Sequence, residues 1–285
     1  MDPTELARDR FKRLLLGLPQ STGNYAFLDT LVRFAEQLEL DLDAMFVQDE
    51  ALLHLASFPK AREFRGLGAG WHPVDLAQLK LQIEQSAALA RGLFDEAVHK
   101  ARIAARFSLA QGTAAQTIAA CATARDIIVV VQPASPVDRI TQQFVQLADI
   151  AIKSHAAVLV LPLRIARSAG PVAVVAAGAG DPSIRAGLTM AAAMGETAAV
   201  IGPLDEDART AVRRHAASVN VKIQFEPTGG GPSDLTAVRA RLAALRERII
   251  VIARTAFDGA TGAALASERS VPVLLVEPEA SVQPS

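Results

Sequence analysis

The chain has little of almost everything that marks a specialised surface. Its 285 residues include one cysteine, one tryptophan and one tyrosine, and aromatic residues total 5%. Cys121 alone can close no internal disulfide, which fits a reducing compartment and excludes a disulfide-stapled secreted scaffold. So few rings argue against an aromatic-lined surface for carbohydrate or nucleic acid. Net charge is missing as well. The 29 Lys and Arg against 30 Asp and Glu leave −1, with no basic excess to neutralise phosphates. Nucleic acid is therefore not expected as a partner. No apolar run approaches the roughly 18 residues of a spanning helix, and the first residues lack a basic stretch followed by an apolar one. Neither a membrane nor a secretory leader is expected, and the expected location is cytoplasmic.

What the chain does have is aliphatic residues in short runs. Hydrophobic residues make up 51%, enough to bury substantial cores in two domains of ordinary size. In the first half the runs fall at 14–18, 42–47, 105–110, 127–131 and 158–163. Runs apolar on both faces predict central strands of a parallel sheet covered by helices on each side. Amphipathic stretches at 25–38, 76–101, 113–124 and 141–153 predict helices between them. In the first, Phe27, Leu28, Leu31, Val32, Phe34, Ala35 and Leu38 recur at helical spacing.

The same order returns after Gly170. Strand-like runs lie at 172–176, 198–201, 219–225, 249–253 and 273–276, and helix-like segments at 183–194, 206–217, 235–246 and 261–269. Each half closes with an aliphatic strand running into a proline, Pro162 or Pro278. A repeat of this length predicts a duplicated structural unit. The expected fold class is α/β, with two tandem Rossmann-like domains, each a five-stranded parallel sheet with helices on both faces. The expected domains span 10–164, with an insertion at 50–81, and 171–278; residues 165–170 read as a short exposed linker.

Five strands, four helices and a tandem copy resemble the universal stress protein family, of the adenine nucleotide alpha hydrolase-like fold. The best-matching stretch is 126–162: an acid, an aliphatic strand, a loop, a helix and a last strand ending in proline. The resemblance implies a glycine motif, GxxGx9G followed by Ser or Thr, whose amides wrap the phosphates of ATP. Glycine suits that task because it brings the main chain close and accepts positive φ. Laid along this chain without gaps, the motif glycines fall on Val131, Ala134 and Phe144, with Val145 at the hydroxyl position. A phenylalanine leaves no room for a charged oxygen. Asp138 in the same loop repels phosphate unless a metal intervenes. After the first strand, where the family carries Asp-Gly-Ser, Pro19 and Gln20 leave only Ser21; in the second half Ala177, Gly178 and Ala179 keep only the glycine. The second late loop has Ala253 and Ala256 at the first two motif positions and Gly259 as candidate for the third. Both nucleotide sites thus read as degenerate. The family's habit of pairing through last strands implies an internal pseudo-dimer, to which a homodimer can be added.

Other candidates carry bland readings. Residues 178–183 form a glycine-rich turn in which Asp181 or Ser183 caps a helix started by Pro182. Residues 228–234 lack the Lys-Ser/Thr of a phosphate loop. His54, His72, His99, His155 and His215 have no zinc spacing, so no metal site is expected. Cys121 reads as a structural thiol, and Arg239, Arg241, Arg246, Glu247 and Arg248 read as solvated surface. Residues 50–81 hold basic and aromatic groups, including Trp71, and read as a packing cover or partner surface.

The functional expectation is a non-enzymatic, stress-associated binding or regulatory protein with no catalytic residues and no cofactor. The first alternative binds ATP in a rearranged site built from Ser21, Thr22, Gln132, Ser135 and Gly178, with slow hydrolysis. The second is an interaction module acting through 50–81 on a protein partner.

Overall fold

A computed structural model describes residues 11–19, 25, 27–48, 50–64, 70–132, 148–149, 151, 153–162, 164–228 and 234–277. In the first half these form β1 (Arg13–Pro19), α1 (Leu28–Gln37), β2 (Asp41–Gln48), α2 (Glu50–Ala56), β3 (Arg62–Phe64), β4 (Trp71–Pro73), α3 (Leu76–Val98), β5 (Ala105–Gln111), α4 (Ala114–Cys121), β6 (Asp126–Val131) and β7 (Ala157–Leu161). The second half contributes β8 (Val172–Val175), α5 (Pro182–Met194), β9 (Ala198–Gly202), α6 (Glu206–Ser218), β10 (Ile223–Pro227), α7 (Leu235–Ala244), β11 (Ile249–Ala253), α8 (Gly259–Arg269) and β12 (Val273–Val276). The helix expected over 141–153 lies mostly outside the described residues.

Ten strands form one sheet in the order β10-β9-β8-β11-β12-β7-β6-β1-β2-β5. Every pair is parallel except β7 with β12, which run antiparallel with Val160 opposite Val273 and Leu159 opposite Leu274. Period-two burial explains why the sheet forms. Leu14, Leu16, Ile127, Val129, Leu159, Val172, Val174, Val251 and Leu274 point to one face, into a core closed by α1, α3, α5 and α6. Ile128, Val130, Val158, Val160, Val175, Ile250, Ile252, Val273 and Leu275 point to the other, against α4, α7 and α8. Both cores run uninterrupted across the β7–β12 seam.

Because the seam is antiparallel, the carboxyl ends of the strands in one half lie at the opposite sheet edge from those in the other. Strand order reverses between β1 and β6, and again between β8 and β11. Open α/β sheets bind ligands in the crevices at such switch points.

One reading of charge needs correction. Glu247 is fully buried, not solvated, and it is held by Arg269 at 2.8 Å and Arg167 at 3.4 Å. The linker is also tied down, since Arg167 donates to the carbonyls of Glu247 and Arg269, and Gly170 N–H to Glu196. Spacing on a helix shows which residues share a face, but not whether another segment covers that face.

At the β10 edge, the guanidinium groups of Arg209 and Arg213 stack on Phe225 at 5.8 and 5.2 Å. On the same helix, His215 buries Nε2 with no hydrogen-bond partner among the described residues. Burial, helped by the charge of Arg185, pushes its pKa below 6.5. The unfolded chain therefore takes up a proton near pH 6.5 that the folded chain resists. Stability should be flat with respect to this group above pH 6.5 and fall as pH drops toward the lowered folded value. Urea unfolding between pH 7.5 and 5.5 should show a smaller decline in His215→Gln. An unchanged decline would reassign the effect to other groups.

Candidate functional site

The switch-point crevice of the second half is built from the ends of β8 and β11 and the first turns of α5 and α8. Beyond β8 the chain enters the turn 176–181. There Asp181, the N-cap of α5 with Pro182 following it, accepts from Ser183 N–H at 2.9 Å and reaches back to Ala177 N–H at 2.8 Å. The Ser183 hydroxyl, fully buried, donates to the carbonyl of Val175 at 2.8 Å. Beyond β11 the chain folds into one compact turn, with the amides of Ala256 and Phe257 both bonded to the carbonyl of Ala253 at 3.1 Å. Asp258 then caps α8, accepting from Thr261 N–H at 2.8 Å. The Thr261 hydroxyl foremost, and then this N–H, lower the pKa of the Asp258 carboxyl. Two helix N-termini, with amides and dipoles suited to an anion, thus already hold carboxylates of the chain itself.

The residue after the fourth large-sheet strand of each half, β6 or β11, is turned away from its crevice. Gln132 follows β6, and its N–H bonds to the carbonyl of Leu161 at 2.8 Å; Arg254 follows β11, and its N–H bonds to that of Val276 at 3.0 Å. The two positions are equivalent, and both side chains cross the seam. Gln132, 3% exposed, donates through Nε2 to the carbonyl of Ala263 at 2.7 Å and accepts from the Ser267 hydroxyl at 2.9 Å, both on α8. Arg254 is buried to 6% exposure and pairs with Glu277 at 3.0 Å. It also donates to the carbonyls of Ser154, at 2.9 Å, and Ala156, just before β7. Burial lowers its pKa, with Glu277 opposing.

Of the residues proposed for a rearranged nucleotide site, Gln132 sits in the seam and Gly178 in the Asp181 turn, at opposite edges of the sheet. Ser21, Thr22 and Ser135 lie outside the described residues, as do Ala134, Phe144 and Val145. Arg254 was not singled out from sequence, yet its alignment with Gln132 in the repeat is a signal that points to it.

Gln132→Leu is expected to reduce unfolding free energy by about 1–3 kcal/mol, because the Ser267 hydroxyl and a helical carbonyl lose their partner in a dry interface. Urea unfolding measures it, and a loss under about 0.5 kcal/mol would mean that the seam does not depend on this side chain.

Cys121 is half-buried. Burial raises its thiol pKa, with Arg13 working against the rise. The described residues of 50–81 form α2, antiparallel strands β3 and β4 with Phe64 opposite Trp71, and the start of α3 behind the Asp75 cap. Leu55, Phe58 and Trp71 are exposed by 61%, 53% and 64%, and His54 meets Phe58 edge-on at 5.2 Å. The period-two and period-3.6 patterns did not reveal this pair, whose strands are three residues long. Among the described residues no helix is long and apolar enough to cross a membrane.

No known family model matches this sequence, and no curated protein matches it significantly. Solved structures do resemble it. A universal stress protein from Archaeoglobus fulgidus is 13% identical with a TM-score of 0.66, over 93% of this chain and 96% of that one. A functionally unknown protein from Pseudomonas aeruginosa is 15% identical with a TM-score of 0.56, over 97% and 95%. A second P. aeruginosa protein, provisionally described as a universal stress protein, is 17% identical with a TM-score of 0.53, over 96% and 95%. At such identities the likeness establishes the α/β fold that this chain shares with universal stress proteins.

Proposed function

We propose that this chain is a cytoplasmic, non-enzymatic binding or regulatory protein of the universal stress protein type. In this reading it is a tandem of two domains, 10–164 and 171–278, whose nucleotide crevices have been given over to structure. One observation carries the reading: Asp181 and Asp258 occupy, with their own carboxylates, the helix amides that a phosphate needs. A triphosphate arriving there meets two fixed negative charges and few free donors. The seam contacts of Gln132 and Arg254 support the same reading, because the position beside the first motif glycine joins the halves instead.

The test is calorimetric titration with ATP, ADP and AMP, with mass analysis of any small molecule carried through purification. No saturable heat and no bound nucleotide is the expected result. Micromolar ATP binding would overturn the proposal and favour a rearranged site.

The exposed Leu55, Phe58 and Trp71 favour a second reading, in which residues 50–81 contact a protein partner. Changing these three to serine should abolish partner capture and leave the thermal transition in place. Capture that survives the triple change would remove this reading.

A further inference from the structure

The large sheet ends on two edge strands, β10 and β5, and the chain treats them differently. An edge presents a row of unpaired N–H and C=O groups, which proteins shield with charge, proline or short length. β10 is five residues long, ends on Pro227, and carries the guanidinium groups of Arg209 and Arg213 over Phe225. β5 has little of this. It runs seven residues, Ala105–Gln111, without a proline. Its one charged side chain, Arg106, is tied to Asp43 of neighbouring β2 at 3.1 Å. Arg91, over the Phe107 ring at 5.8 Å, is paired with Asp95.

The ladder decides which backbone groups stay open. Leu42 N–H bonds to the carbonyl of Ala104 at 2.8 Å, and Gly112 N–H to that of Gln48 at 3.0 Å. Between these bonds β5 runs parallel to β2 with Leu42 beside Ala105 and Gln48 beside Gln111. Arg106, Ser108 and Ala110 therefore turn their backbone groups to β2, and Ala105, Phe107, Leu109 and Gln111 turn theirs outward. None of these four finds a backbone partner among the described residues. The side chains favour a second copy of the same strand. Phe107 packs on Phe94 of α3 at 5.7 Å, and Leu109, on the same face by period two, is 58% exposed. Antiparallel pairing about an axis at Ser108 sets Phe107 opposite Leu109 of the second copy, and Leu109 opposite Phe107. Cross-strand apolar pairs of this kind stabilise a sheet. Arg106 then faces Ala110, so no like charges meet. A foreign strand would require no such match of β5 to its own reverse.

We propose that β5 pairs antiparallel with β5 of a second copy of this chain, continuing the ten-stranded sheet across a two-fold axis at Ser108. The surface is separate from the β7–β12 seam and from the strand-end crevices, and it does not depend on the reading of those crevices.

Sedimentation of the full chain should show a dimer at high micromolar concentration that dissociates on dilution. Leu109→Lys sets an unpaired charge in the apolar pair and should raise the dissociation constant about tenfold or more. Cross-linking reads the register. In a Cys121→Ser background, Ser108→Cys brings two thiols together in a non-hydrogen-bonded pair, with Cα atoms about 4.5 Å apart. A disulfide spans that distance. Ala110→Cys sets them four residues apart along the strands, about 14 Å, which a disulfide does not span. Mild oxidation should therefore give about tenfold more covalent dimer from Ser108→Cys than from Ala110→Cys on a non-reducing gel. Circular dichroism of each variant should match the parent. A parent chain that sediments as a monomer throughout, a dimer undiminished by Leu109→Lys, or equal cross-linking at the two positions would overturn the proposal.

Discussion

Glu247→Leu is expected to lower the unfolding free energy by about 3 kcal/mol. Its carboxylate, with no solvent exposure, receives Arg269 through two nitrogens, at 2.8 and 3.2 Å. Arg167 joins it from the linker at 3.4 Å. The same guanidinium groups finish helix ends: Arg269 donates to the carbonyls of Leu242 and Leu245 at the end of α7, and Arg167 to that of Arg269 at the end of α8. Removing the acid leaves two cations facing a dry pocket, and only the outer parts of these side chains, about a fifth exposed, can turn to water. The penalty belongs to unpaired charge more than to lost volume. Glu247→Gln keeps the shape and one acceptor, and should lose about half as much. Urea unfolding at neutral pH measures both. A loss below about 1 kcal/mol for the leucine variant would show that the guanidinium groups find solvent readily and that the linker is not held here.

Gly202→Ala should also cost about 3 kcal/mol. Gly202 ends β9, and a methyl built on it overlaps the carbonyl oxygen of Ala176, just past the end of neighbouring β8. That carbonyl belongs to the backbone, which is tied into the ladder where Ala176 N–H bonds to the carbonyl of Ile201 at 2.9 Å. Relief requires moving the strand end, with the Asp181 turn behind it. Gly178 and Gly180 in that turn have open space where a Cβ would stand, so their alanine variants should stay within about 0.5 kcal/mol of the parent. Thermal or urea unfolding of the three variants side by side decides the matter. Equal effects would mean that the strand end yields easily and that close approach is not what Gly202 provides.

The glycine comparison shows what the local pattern can and cannot reveal. The family resemblance drew attention to Gly178, because it stands where the family's Asp-Gly-Ser carries its glycine. The glycine that geometry needs is Gly202, whose constraint comes from a carbonyl 26 residues earlier in the chain. Gln132 is a similar case. A glutamine after a strand reads as a candidate ligand, and its actual partners on α8 lie 131 and 135 residues away. The Asp181-Pro182 helix start, by contrast, was legible because cap and first turn are neighbours in sequence.

The order of the residues alone determined the strands of the large sheet and most of the helices, but not the short β3–β4 pair. Runs buried on both faces and helical stripes at a spacing of 3.6 encode strands and helices locally, and their repetition after Gly170 encoded five strands twice. Only the tertiary structure decided that the two sets join through an antiparallel seam, that Glu247 is sealed inside, and that Gln132 and Arg254 serve the seam. Those outcomes depend on which surfaces meet and exclude water. Side-chain spacing within one segment carries no record of what a distant segment brings against it.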